Sequence, residues 1–247
     1  MADDFHDWHS LHYVDDWIHR IEKRSPRLVR QRIERYRNTL REFSFSSRQP
    51  LRILDLGVGW GDLTKEIFDI FPQAEIVALD YSPVMLKKAQ DNLSPWGDSV
   101  SFHQSDLTEP NALEGLGMFD GILSVSTLHH LKASQINSLF GQIADHLKPH
   151  GRFVNCDLYY RSKHLQSRIL WRLAEVTRRS NVSSAVAAFL EKIALIHQMQ
   201  EPQPAWTRPK PLLSEHLDLL NQNGMEGHWR LDNHRFLVVA DLDEPNA

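Results

Sequence analysis

Apolar positions recur along the chain in two registers, and the change from one to the other divides it. Val14, Trp17, Ile18 and Ile21 stand at i, i+3, i+4 and i+7, which predicts a helix over residues 12–22 with one apolar stripe. Ser25 followed by Pro26 reads as an N-cap and a first helical position, and Val29, Ile33, Tyr36 and Leu40 predict a second helix that ends near Phe43. The polar segment 44–50 breaks that register. From Leu51 onward, short apolar runs alternate with helical stretches. LRILDLG (51–57), EIVALD (75–80), SVSFHQSD (99–106), FDGILSVS (119–126) and GRFVNCD (151–157) predict parallel strands buried on both faces. Between them lie predicted helices over 62–71, 83–92, 111–116 and 133–146. This alternation predicts an open, doubly wound α/β sheet.

After Asp157 the spacing changes. Leu165, Ile169, Leu173 and Val176, then Val186, Phe189, Leu190 and Ile193, predict two amphipathic helices, and the proline-bearing stretch 201–211 closes that insertion. A helix over 213–222, a turn at Asn223–Gly224, and the runs GHWRL and HRFLVVA separated by Asp232 and Asn233 predict a helix followed by an antiparallel hairpin. The expected organisation is a helical cover (1–45) and an α/β domain (46–247) interrupted by a helical insertion (158–211).

Composition narrows the chemistry. The 247 residues carry 28 Lys and Arg against 32 Asp and Glu, a net charge of −4 that gives no general attraction to nucleic acid or an anionic membrane. Cys156 is the one cysteine, which excludes an intramolecular disulfide and a cysteine zinc site, suits a reducing compartment, and reads as buried and inert. The opening MADDFHDWHS has acids where a secretion signal has Lys or Arg, and no apolar run nears the roughly 18 residues of a membrane helix. A soluble, cytoplasmic protein is expected. Nine Lys or Arg lie between Arg20 and Arg41, but they interleave with the apolar stripe and predict a solvated helix face. His6, His9 and His12 recur at steps that drift around a helix, so no metal site is predicted.

The most informative segment is ILDLGVGWGDLT (53–64), where a strand end, an acid, glycines at 57, 59 and 61, and a helix start are joined. Glycines there let the backbone turn sharply and approach a ligand closely. Asp62 stands where a dinucleotide fingerprint would have its third glycine, and a carboxylate beside pyrophosphate is a poor pairing, so the loop favours a ligand without phosphate. Asp80 ends the second strand, where a carboxylate accepts from ribose hydroxyls; Ser105 and Asp106 end the third, a place suited to an adenine amino group. Either acid could instead cap a helix. Ribose, adenine and a phosphate-free glycine loop describe S-adenosylmethionine.

On these residues the chain resembles the class I S-adenosylmethionine-dependent methyltransferases of small-molecule type, over Leu51–Asp157 and again at the terminal hairpin. The resemblance implies a Rossmann-like sheet of seven strands, mostly parallel with an antiparallel last strand. It also implies roles: Asp55 and Gly57, Gly59 and Gly61 beside the methionine part, Asp80 on the ribose, Tyr81 and Met85 flanking the adenine, Asp106 and Leu107 at its amino edge, and Ser124 on the floor. Trp60 either stacks on the ligand or caps the neighbouring helix, and Met85 also reads as core. In that family an N-terminal helix often covers the cofactor, which makes Tyr13 a candidate contact.

Transfer from a sulfonium is an in-line displacement that needs a positioned nucleophile and little acid–base machinery. A base, where the acceptor requires one, must come from the carboxyl ends of strands four and five or from a lid, which selects His129, His130, Asp157 and Tyr159. The histidines also suit packing or capping. The expected function is methyl transfer to a small organic acceptor. The competing readings are an RNA methyltransferase using the basic helices and a non-methylating enzyme resembling carboxy-S-adenosylmethionine synthase.

Overall fold

The structure, a computed structural model, describes residues 7–43, 50–157, 173, 186, 189–190, 193, 213–232 and 235–242. The remainder of the expected insertion, Tyr159 included, lies outside the described residues. Two helices come first, α1 (Leu11–Glu22) and α2 (Pro26–Leu40), the second followed by a 3₁₀ turn at Arg41–Phe43. Then β1 (Arg52–Leu56), α3 (Lys65–Ile70), β2 (Glu75–Asp80), α4 (Pro83–Leu93), β3 (Val100–Gln104), β4 (Phe119–Val125), α5 (Ala133–His146) and β5 (Leu147–Asp157) alternate. The described chain closes with α6 (Leu213–Gln222), β6 (Met225–Asp232) and β7 (Arg235–Leu242).

The seven strands form one sheet in the order β3-β2-β1-β4-β5-β7-β6. β7 is antiparallel to both of its neighbours, and the pairs among β1 to β5 are all parallel. Alternate residues feed two apolar layers, as the pleat requires. Leu54, Leu56, Ile122, Phe153 and Val238 face α5 and α6, while Ile53, Leu123, Val154 and Leu237 face α2, α3 and α4. The reversal of strand order between β1 and β4 places their carboxyl ends at the crevice where such sheets bind ligands.

Several local expectations change. Residues 111–116 form turns, because Gly115 and Gly117 have φ of 78° and 77°, and the Leu113 N–H donates to the Gln142 side chain at 3.0 Å. α3 starts three residues later than expected, since the Thr64 hydroxyl is engaged elsewhere. β3 is an edge strand with only Val100 fully buried, so it is not covered on both faces. β5, which pairs with β4, begins at Leu147, with a register shift opposite Phe119–Gly121. In the hairpin Asp232 pairs with Arg235, so the connection is 233–234 rather than 232–233. Among the described residues no helix is long and apolar enough to cross a membrane.

Candidate active site

The loop after β1 is tied to β2, for the N–H groups of Gly57 and Val58 both donate to the Leu79 carbonyl, at 2.8 and 2.9 Å. Gly57, Gly59 and Gly61 all have left-handed backbone (φ 76°, 58° and 74°), which favours glycine. A Cβ at Gly57 would lie 2.3 Å from Thr127 Oγ1 and one at Gly61 3.0 Å from Leu93, whereas at Gly59 nothing lies within 4 Å. The outer two glycines therefore permit packing, and the middle one borders open space.

Two carboxylates stand at the strand ends beside this loop. Asp80 Oδ2 accepts the Gly59 N–H and Oδ1 accepts the Ser82 N–H, each at 2.9 Å. Burial raises its pKa, and these backbone donors pull it back down. Asp55, 4% exposed, accepts from Thr64 Oγ1 at 2.8 Å and Tyr36 OH at 3.3 Å, both on Oδ2. Burial pushes its pKa up to about 6. Asp106 is exposed and accepts the Thr108 N–H at 2.9 Å, while Leu107 is buried in the core beside it. Ser105 donates its hydroxyl to the Ala112 carbonyl at 2.7 Å, a turn-fixing role. Ser124 is fully buried, and among the described residues its hydroxyl has no hydrogen-bond partner.

α1 lies across this crevice. Ser82 Oγ donates to the Trp8 carbonyl, and Lys88 pairs with Asp15 at 2.6 Å. Trp8 meets Tyr13, Trp17 and His130 edge to face, and His9 meets Tyr81 in the same way at 4.8 Å between centroids. The Tyr81 hydroxyl is pushed up to about 12, chiefly by burial and then by Asp80 and Asp106, so the ring stays neutral. Trp60 is buried against Trp17 and under Arg32, 4.9 Å from the ring centroid, and Met85 shares that cluster with Val14 and Ile21. Trp60 thus packs against the cover. α2 is not simply a solvated basic face: Arg32 binds Asp62 through both nitrogens, and Arg37 binds Glu66 at 2.6 Å and Asp69 at 2.9 Å.

At the ends of β4 and β5 two sequence candidates meet. Asp157, buried at the last position of β5, accepts the His129 N–H on Oδ2 at 3.0 Å, and its Oδ1 lies 2.6 Å from His129 Nδ1. The His130 ring is tilted against His129 at 4.0 Å. The approach to this pair includes Ser126, a non-glycine residue at φ 63°. Cys156 is buried, as expected. Behind Asp157 sits His216 of α6, edge-on to Phe140 at 4.6 Å, its pKa lowered by burial to about 3. Tyr36, Thr64, Arg32 and His216 were not among the sequence candidates. His216 falls on the apolar stripe of Leu213, Leu217 and Leu220, a signal that identifies a buried histidine.

Residues 53–151 match the family described as "Methyltransferase domain". These residues form a methyltransferase domain. The chain is 32% identical over 121 residues to a magnesium-protoporphyrin O-methyltransferase of Rhodobacter capsulatus, covering 47% of this chain and 51% of that protein. It is 38% identical over 85 residues to a malonyl-acyl-carrier-protein O-methyltransferase of Anoxybacillus flavithermus, covering 34% and 30%. The chain thus spans about half the length of the first relative and about a third of the second. Its fold is similar to that of a magnesium protoporphyrin IX methyltransferase from Synechocystis PCC 6803 with bound SAH, with a TM-score of 0.54 and 14% identity over 87% of this chain and 84% of that one.

Proposed function

We propose that the chain transfers the methyl group of S-adenosylmethionine to a small organic acceptor, with His129, oriented by Asp157, as the base. The observation that carries this reading is the convergence of Asp55 and Asp80 on a left-handed glycine loop whose middle residue is open. Carboxylates accept hydrogen bonds and attract cations, so this set suits ribose hydroxyls and an ammonium and disfavours phosphate. Asp80 keeps lone pairs for a ribose after serving Gly59 and Ser82. Tyr81, Tyr13 and Trp8 supply aromatic surface above it. When bound, S-adenosylmethionine supplies an electrophilic methyl that the acceptor displaces in line.

Asp157, by accepting a hydrogen bond from Nδ1–H, favours the His129 tautomer with its proton on Nδ1, which leaves Nε2 to receive the proton of an acceptor hydroxyl. The two relatives described above are O-methyltransferases by name, which supports an oxygen acceptor of this kind. The insertion follows directly on Asp157, which favours it as a wall of the acceptor pocket. Commitment of Arg32 and Arg37 to Asp62, Glu66 and Asp69 weakens the RNA reading. Calorimetry should show micromolar binding of S-adenosylmethionine and SAH; no heat with either, together with binding of NAD, overturns the proposal. Mass analysis of small molecules that co-purify with the protein tests the acceptor class.

A further inference from the structure

The charge around Asp55 is incomplete. Its register neighbours in the sheet are Ala78 and Leu123, both apolar. The titratable groups that face it are Asp80 at the end of β2 and Asp62 in the loop, both of its own sign, and Tyr36 from α2. Arg32 of α2 is committed to Asp62, which Lys65 also faces. Among the described residues only two uncharged hydroxyls, those of Tyr36 and Thr64, bond Asp55, and both bond Oδ2. Oδ1 is left as the oxygen open to a ligand. A buried carboxylate with like charges beside it and no paired cation is a receptor for one.

Tyr36 reaches this place because α2 is aligned by its other contacts. Arg32 grips Asp62 one turn earlier, and Arg37 grips Glu66 and Asp69 one residue later. Tyr36 is 2% exposed and spans from the cover helix to the end of β1. Hydrogen bonds to the ionised form of an acid favour that form, so the phenol sets how readily Asp55 holds its charge.

We propose that Tyr36 is a positioning residue for the cofactor: with Thr64 it holds one oxygen of Asp55 so that the other, ionised, meets the ammonium of the methionine part, and affinity falls as Asp55 takes up a proton. This rests on the reading of the loop as an S-adenosylmethionine site. The position of Asp55 near pH 6 puts the transition within an accessible range.

The test is the pH dependence of SAH affinity from pH 5 to 8, by calorimetry, in the wild type and Tyr36→Phe, with 5′-methylthioadenosine as the second ligand. That compound keeps the adenosine and lacks the ammonium. SAH affinity should be level above about pH 7 and fall towards tenfold per unit below about pH 6. Tyr36→Phe should move the midpoint up by roughly half a unit to one unit. Methylthioadenosine affinity should lack this transition in both proteins, which separates Asp55 from Asp80. An unmoved midpoint in folded Tyr36→Phe, or the same transition with methylthioadenosine, overturns the inference. In the wild type, SAH binding at pH 6 should also release a proton, seen as a buffer-dependent heat, and its absence overturns the inference even if the variant does not fold. A wild type that binds neither ligand at any pH refutes the cofactor reading instead.

Discussion

Gly57→Ala and Gly59→Ala add the same methyl group at two left-handed positions of one loop, yet the structure assigns them different costs. Both carry the backbone penalty of an L residue in that region, about 1–2 kcal/mol. At Gly59 nothing lies within 4 Å of the new Cβ, so that penalty is the whole cost to the fold. At Gly57 the Cβ lands 2.3 Å from Thr127 Oγ1 and 2.5 Å from its Cγ2. Overpacking a filled place adds about 1–3 kcal/mol, so Gly57→Ala should lose about 2–5 kcal/mol in all, a large share of the stability of an ordinary domain. Adding Thr127→Ala removes those two atoms and should recover roughly half of the overpacking part, because Thr127 Cβ remains 2.9 Å away. For the ligand the order reverses. The methyl at position 59 occupies the open side of the loop, so Gly59→Ala should fold and bind SAH about tenfold more weakly or worse, a loss of about 1.4 kcal/mol. Urea denaturation read by tryptophan fluorescence measures the first effect, and calorimetry the second. Equal stabilities for the two alanine variants, or wild-type affinity in Gly59→Ala, would refute the reasoning.

Three further outcomes are expected. Asp157→Asn keeps the side-chain size but removes the charge that orients His129, and should lower methyl transfer by about 10²–10⁴-fold with SAH affinity unchanged; kinetics at wild-type rate would assign the pair to packing alone. Arg32→Ala leaves Asp62 without its bidentate partner and should cost about 1–3 kcal/mol, most of it regained by adding Asp62→Asn; additive effects in that cycle would show the pair to be idle. His216 and Asp55 pull stability in opposite directions with pH. The His216 pKa is lowered from 6.5 to about 3, so the unfolded chain binds the extra proton in that window and stability falls with acid. The Asp55 pKa is raised from 3.8 to about 6, so there the folded chain binds the extra proton and the slope is reversed. Each slope approaches about 1.4 kcal/mol per pH unit, so Asp55→Asn should steepen the acid-side loss between pH 6 and 4, and an unaltered profile contradicts this.

The alternation of strands and helices was legible because a parallel sheet buries near-continuous apolar runs, and the glycine loop because its spacing has a backbone reason. Residues 111–116 misled because Gly115 and the following Gly117 are left-handed and side chains take backbone groups of Ala112 and Leu113. The basic stretch misled differently. Arg32 and Arg37 interleave with an apolar stripe as solvated residues do, and only the docking of α2 beside the loop and α3 reveals their carboxylate partners. His129 and Asp157 were each nominated by their places at strand ends, but their pairing depends on the register of β4 against β5. Tyr36 was read as one more apolar position; its hydroxyl acquired meaning only from the strand end it reaches.

Arg152 on β5 donates to the Glu42 carbonyl at 2.9 Å and grips Asp241 on β7 at 2.6 and 2.8 Å. The Glu42 carboxylate in turn takes Arg230 of β6 at 2.5 Å. A ribosome delivers Glu42 long before it delivers Arg230 or Asp241, so the turn after α2 gains its ion pair to β6 only when the hairpin is made and docked. A nascent or clipped chain can own the glycine loop and its carboxylates and still lack that brace. Tight capture of the cofactor then becomes a property of finished molecules, and the ligand, by stabilising only what it binds, selects them from the unfinished.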